Sequence, residues 1–218
     1  THLRVGDAVF GVSLFGAYSS RILVPAHQLF RRPEADLSPS EAAAMPCVAM
    51  TAWFAVQQQA SPIAQGRWVL VHSAAGGVGS MLVQMAKIKG WRVAAVVGSP
   101  HKVDECRRLG ADEVIDKSST ELWAAARKIA PGGFAAVFDA NGVATLGDSY
   151  EHLAPCGKLI VYGFHTMLPK VGGVIDPLQW VRMGVQWLRT PRFNPLAMVP
   201  ANKSVLAFNL SFLFDQKE

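Results

Sequence analysis

A doubly wound α/β fold on a parallel sheet is what three features of this 218-residue sequence predict. A strand, a glycine turn and a helix follow one another directly within Val69 to Lys87, VLVHSAAGGVGSMLVQMAK. Short apolar runs then alternate with helical stretches, the pattern of βαβ units. Half of the residues are hydrophobic, so the chain is not disordered, and it is long enough to bury a substantial core.

The first residues read as short strands and turns. Val5 to Phe10, Gly16 to Tyr18 and Arg21 to Pro25 are the expected strand segments, too short to close a barrel. Ser38-Pro39-Ser40-Glu41 then forms a capping box, with serine as N-cap, proline at the first helical position and glutamate at the third. Pro46 is expected to break this helix, which resumes from Val48 to Gln59. Ser61 to Gly66 is a connecting loop.

Six strands follow: Trp68 to His72, Arg92 to Val97, Glu113 to Ile115, Ala135 to Asp139, Lys158 to Tyr162 and Ser204 to Phe208. Six make a complete doubly wound sheet of the Rossmann type. Pro177 to Arg189 reads as an extra amphipathic helix before the last strand, and Met167-Leu168-Pro169 as a loop.

The glycine turn carries the chemistry. Glycines let a pyrophosphate approach the backbone and let the new helix pack on its strand, while free N–H groups at the helix start face the phosphates. Ala75, Gly76, Gly77 and Val78 are the expected cradle. About twenty residues later, where an NAD site carries an acidic residue, the chain has Gly98-Ser99-Pro100-His101-Lys102. Ser99 reads as an N-cap, and a lysine in the first turn is unfavourable against the helix dipole unless an anion lies nearby. A 2′-phosphate is such an anion, so Ser99 and Lys102, with His101 contributing less, favour NADP over NAD.

Other classes are disfavoured. The net charge of +5 and pI near 9.3 come from scattered pairs such as Arg31-Arg32 and Arg107-Arg108, not from a basic run with aromatics, so no nucleic-acid partner is expected. Cys47, Cys106 and Cys156 are odd in number and widely spaced, which points to reduced thiols in the cytoplasm rather than a disulfide frame or zinc site. No apolar run reaches membrane-spanning length. His72 at a strand end reads as a structural histidine, and Cys156 beside Gly157 as an incidental thiol in a loop.

GDAVFG followed by GAYSS, then SEAAAMPCVAMTAWFAV, HSAAGGVG, GSPHK, LGADEVID and KLIVYGF resemble the medium-chain dehydrogenase/reductase superfamily. The branch resembled is the zinc-independent quinone oxidoreductases, which include the vesicle amine transport protein-like members. The likeness covers nearly all of the chain. It implies a remnant of a GroES-like β domain over residues 1–35 and an NADP-binding Rossmann domain over 36–218, with further catalytic-domain segments beyond both ends. Only Val12 to Phe15 separates GDAVFG from GAYSS, leaving no room for the cysteine-rich lobe that holds the structural zinc of zinc alcohol dehydrogenases, and the resemblance to the zinc-independent branch implies no catalytic zinc, so no metal is expected.

By the same resemblance Thr51 lies beside the nicotinamide ribose or carboxamide, and Gly98, Ser99 and Lys102 form the adenosine-phosphate pocket. Lys117 stands where many relatives place a tyrosine against that phosphate. Asn141, Tyr162, Gly163 and Phe208 fall where relatives line the cleft, although Tyr162 and Phe208 read equally well as core aromatics. The implied reaction is hydride transfer from NADPH to a quinone or an activated alkene. No catalytic residue is assigned, and the chain by itself is expected to bind cofactor with little turnover. A non-catalytic NADPH-binding or scaffold protein of the same fold is the alternative. The apolar edge from Ser204 to Phe208 invites pairing, and the resemblance implies a homodimer that continues the sheet through it.

Overall fold

The computed structural model describes residues 3–33, 35–165 and 177–213. Met167-Leu168-Pro169 lies outside them. Two compact units divide the chain: Thr1–Thr51 with Leu210–Glu218, and Ala52–Asn209.

In the first unit, β1 (Val9–Gly11) pairs antiparallel with β2 (Leu29–Arg31), Phe10 opposite Phe30. An Arg31–Asp7 ion pair at 2.7 Å stands beside them. Of the three expected early strands, only the end of the first forms. Gly16 to Tyr18 and Arg21 to Pro25 are bends and irregular chain. Val5, Phe15, Tyr18 and Leu23 are exposed, and an extended segment without a ladder partner or a surface to cover has nothing to hold it as a strand.

Helix α1 (Pro39–Phe54) begins at the capping box. Glu41 Oε2 accepts from the Ser38 amide at 2.9 Å and the Ser38 hydroxyl at 2.6 Å, while Ser38 Oγ accepts from the Glu41 amide at 3.3 Å. The expected break at Pro46 does not occur: the helix runs through it. Proline removes one backbone bond, that to Ala42, yet the strong helix formers Ala43-Ala44-Met45 before it and Ala49-Met50 after it carry the helix across. Beyond Phe54 the winding loosens into a π-helical stretch, Ala55–Ala60. Lys158 Nζ donates to the carbonyls of Ala60 and Ser61, both at 3.0 Å, satisfying acceptors at that helix end.

The second unit holds the sheet: β3 (Trp68–Val71), β4 (Arg92–Val97), β5 (Glu113–Asp116), β6 (Phe134–Asp139), β7 (Leu153–Val161) and β8 (Ser204–Ala207). Every pairing is parallel and the order is β5-β4-β3-β6-β7-β8. The helices are α2 (Gly77–Ile88), α3 (Val103–Arg108), α4 (Leu122–Ile129), α5 (Leu146–Glu151), α6 (Pro177–Arg189) and α7 (Pro195–Ala201). All six sequence-predicted strands are therefore present.

Alternation along each strand divides the core into two layers. Val69, Val71, Val93, Ala95 and Val97 face Leu82, Val83 and Ala86 of α2. Leu70, Ala94, Val96 and Val137 face Leu122, Ala126 and Leu146 on the other side. Burial on both faces is what the unbroken apolar runs require. Strand β7 begins earlier than expected, at Leu153, so Cys156 sits inside it rather than in a loop. The ladder with β6 shifts register there, and Cys156 adopts φ 63°, which takes up the extra length.

Candidate functional site: a cleft at the sheet's switch point

Strand order runs outward in opposite directions from β3 and β6. At that point the connecting helices go to opposite faces and leave a crevice at the carboxyl ends of the strands. A cleft of about 440 Å³ lies there, lined by the glycine turn, the ends of β4 and β6, and the residues after β7.

One wall is backbone. Ser73 has φ 51°, and its carbonyl accepts from the Gly76 amide at 2.9 Å, folding the turn back on itself. A Cβ on Gly79 would come within 2.3 Å of the Ser73 carbonyl oxygen and 2.8 Å of Ala74 Cα, so only glycine lets α2 start this close to β3. Gly76 occupies the N-cap position of α2, in extended conformation and with no side-chain cap. The amides of the first turn, Gly77, Val78 and Gly79, have no partner four residues back, and these residues line the cleft. An anion is the complement of such a helix start.

The rim carries charge. Lys102 and Lys117 line the cleft, and no lining residue among those described is acidic. Gly98 follows β4 beside them, where a Cβ would stand 3.6 Å from Lys117 Cε. The donor set of a glycine-walled helix start and two lysines fits a nucleotide carrying more than one phosphate.

Behind the lining residues Ser73 and Asn141 a closed polar cluster forms the floor without itself lining the cleft. Asp139 Oδ1 accepts from the amides of Asn141 at 2.8 Å and Gly142 at 3.3 Å, and Oδ2 from the Ser149 hydroxyl at 2.9 Å. His72 Nε2 lies 3.0 Å from Ser149 Oγ and 3.7 Å from Asp139 Oδ2. His72, Asp139 and Ser149 are fully buried. Burial, reinforced by the Lys117 charge and opposed by Asp139, lowers the imidazole's pKa to about 4, so His72 is neutral near pH 7. At the cleft surface Ser73 Oγ donates to Asn141 Oδ1 at 3.0 Å. Enclosure, helped by the Asp139 charge, pushes the Tyr162 phenol above its ordinary value, which keeps it a hydroxyl and a poor proton source.

Of the sequence-predicted site residues, Ala75, Gly76, Gly77, Val78, Gly98, Lys102, Lys117, Asn141 and Tyr162 line this cleft. Ser99 does not. It stands at the expected N-cap position, extended at φ −167° ahead of a 3₁₀ turn (Pro100–Lys102) with Pro100 first, but its side chain makes no cap bond, and Lys102 in turn is the N-cap of α3. Gly163 packs against Ala140, and Phe208 lies behind Tyr162, 4.8 Å from the Phe54 ring and 6.3 Å from the Tyr162 ring. Thr51 belongs to the other unit, where its hydroxyl donates to the Cys47 carbonyl at 2.7 Å.

Sequence reasoning missed Ser73 and His165 as cleft residues, and missed the Ser149 partnership altogether. Ser73 was signalled by its place just before the glycines. Ser149 carried no local signal, standing 77 residues from His72.

The sheet order, the switch-point cleft and the glycine-walled helix start together define a dinucleotide-binding domain of the Rossmann class. Residues 77–197 match the family profile described as zinc-binding dehydrogenase. The chain is 33% identical to the 2-haloacrylate reductase of a Burkholderia species, over 85% of this chain and 55% of that protein. It is 29% identical to the human synaptic vesicle membrane protein VAT-1 homolog, over 99% of this chain and 53% of that one. Among solved structures, the quinone oxidoreductase of Thermus thermophilus, determined also in complex with NADPH, superposes with a TM-score of 0.76 at 28% identity. That match covers 98% of this chain and 61% of the other. The chain spans about half the length of the curated relatives it matches. This chain belongs to the zinc-binding dehydrogenase family, in the quinone oxidoreductase branch of the medium-chain dehydrogenase/reductase superfamily. Despite the family's name, no group of three or more His, Cys, Asp or Glu able to hold a metal occurs among the described residues. No helix among them is long and apolar enough to cross a membrane.

Proposed function

We propose that this chain is the NADPH-binding part of a reductase that delivers hydride to a small electron-poor acceptor, a quinone or an activated alkene. The observation that carries the reading is the rim: two lysines, and no acidic residue, line the cleft beside the end of β4, where an NAD site holds a carboxylate for the ribose. A ribose hydroxyl pair gains little from two cations, whereas a 2′-phosphate gains from both.

Ala75, Gly76, Gly77 and Val78 hold the pyrophosphate against the uncapped start of α2, and Gly98 with Lys102 and Lys117 holds the adenosine phosphate. Asn141 and Tyr162 face the nicotinamide half, Tyr162 backed by Phe208. The nicotinamide, when bound, supplies the hydride; the chain's own residues orient it and exclude water. By the family resemblance the acceptor pocket is shaped largely by segments outside this chain, so little turnover is expected of the chain by itself. The protein is a cytoplasmic homodimer in this reading. Strand β8 has a neighbour only on its β7 side among the described strands, and a second copy pairing there extends the sheet.

The test is a parallel calorimetric titration of the chain with NADPH and NADH, repeated with Lys102→Ala. NADPH binding that exceeds NADH binding at least tenfold, with the loss in the variant confined to NADPH, is the expected result; about 1.4 kcal/mol separates affinities that differ tenfold. Equal affinities, or no binding of either nucleotide, would overturn it, the latter favouring a scaffold that has lost the cofactor. A sedimentation mass of one chain at high concentration would remove the dimer.

A further inference from the structure

Buried behind the cleft lining are a serine, a histidine and an aspartate in contact, but in an order that forbids nucleophilic catalysis. The Ser149 proton goes to Asp139 Oδ2, the carboxylate does not bond the histidine ring, and all three side chains are sealed from solvent. Because Ser149 spends its single hydrogen on Asp139, its oxygen must accept from His72, which fixes the imidazole proton on Nε2. His72 Nδ1 is then a bare acceptor, with no partner among the described residues.

The contacts close into a ring. From His72 at the end of β3, the ring passes to Ser149 on α5 and then to Asp139 at the end of β6. Asp139 grips the Asn141 amide, and the Asn141 side chain accepts from Ser73, the residue that follows His72. Ser73 is the residue in left-handed conformation whose carbonyl folds the glycine turn and rests against Gly79. A non-glycine residue holds φ near +51° only when its surroundings fix it.

We propose that Ser149 is a positioning residue: through His72 and Asp139 it locks Ser73 and Asn141 together, and so aims the amide wall of the glycine turn into the cleft. The inference rests on the reading of the cleft as a nucleotide site. The ring acts on the shared part of the site, the pyrophosphate wall and the nicotinamide side, and not on the adenosine rim. Its loss therefore weakens both dinucleotides in equal proportion, unlike loss of Lys102.

The experiment compares Ser149→Ala with the parent chain by titration with NADPH and NADH, at temperatures where circular dichroism shows both folded. Both dissociation constants rise about tenfold, the size expected from one hydrogen bond to a charged group. Nitrogen-15 NMR of the parent chain shows the His72 proton on Nε2, in slow exchange with water. A folded variant with unchanged affinities would overturn the proposal, as would a proton on Nδ1. Should the variant not fold, the positioning role is read from Ser149→Cys, which keeps a weak donor and must bind both nucleotides less tightly than the parent, by the same factor; unchanged affinity in that variant overturns it. A parent chain that binds neither nucleotide defeats the cofactor reading, and with it the positioning role, whichever nitrogen carries the His72 proton.

Discussion

The floor and the rim of the cleft are built in opposite ways. The floor is His72, Ser149 and Asp139, fully buried and bonded to one another and to the backbone. The rim is Lys102 and Lys117, both exposed. Buried polar groups fix geometry because every alternative arrangement leaves one of them unsatisfied. Exposed cations recognise charge, because salt and water compete for them until a phosphate arrives. The floor should therefore respond to pH and scarcely to salt, and the rim the reverse.

The largest effect that could break this comparison is the acid response of the floor. An unfolded chain takes up a proton at His72 as the pH falls through 6.5, whereas the folded chain does so only near 4. Between these values the unfolded state binds more protons, so stability falls as the pH falls, by about 3 kcal/mol over the whole window. Chemical denaturation of the parent chain and of His72→Gln at pH 7 and pH 4.5 measures it. The variant should lose markedly less stability on acidification; equal losses would mean that His72 is not held neutral.

Next in size is the backbone wall between floor and rim. Gly79→Ala puts a methyl against the Ser73 carbonyl at 2.3 Å and Ala74 Cα at 2.8 Å, both main chain with little room to yield. The cost should be about 1–3 kcal/mol of stability, as for other overpacked sites, accompanied by weaker binding of both dinucleotides. Full stability would show that the turn can open, and would remove the floor's hold on the glycine loop.

The rim and the wall were legible in the sequence, and the floor was not. All six strands of the sheet announce themselves as apolar runs, and Ala75 to Val78 and Lys102 follow from local order alone. His72 was legible as structural, but its partner Ser149 is brought to it only by the packing of α5 beneath β6. Local rules failed in two instructive places. Pro46 was expected to end α1, and the helix formers on either side outweighed one missing bond. Gly16 to Tyr18 and Arg21 to Pro25 have the composition of strands, but strand formation depends on a partner that composition does not reveal. Ser99 shows the limit at the site itself: it takes the cap position its residue type suits, yet its side chain makes no cap bond and does not line the cleft.

The smallest effect sharpens the comparison most, because it tests whether rim and floor communicate. Lys117→Ala should weaken NADPH about threefold at low ionic strength and leave NADH unchanged, with the difference shrinking as salt is added. The same charge also reaches the floor, where it disfavours protonation of His72. Removing it should therefore move the His72 titration upward, toward 6.5, and narrow the range over which acid destabilises the fold. Both arms can be read on one sample, by calorimetry in a salt series and by NMR titration of the imidazole. A lost salt dependence with an unmoved His72 would leave rim and floor as independent devices. Movement of both would mean that the cation placed to meet a phosphate also helps keep the buried imidazole neutral, so that one side chain serves charge recognition above the cleft and geometry below it.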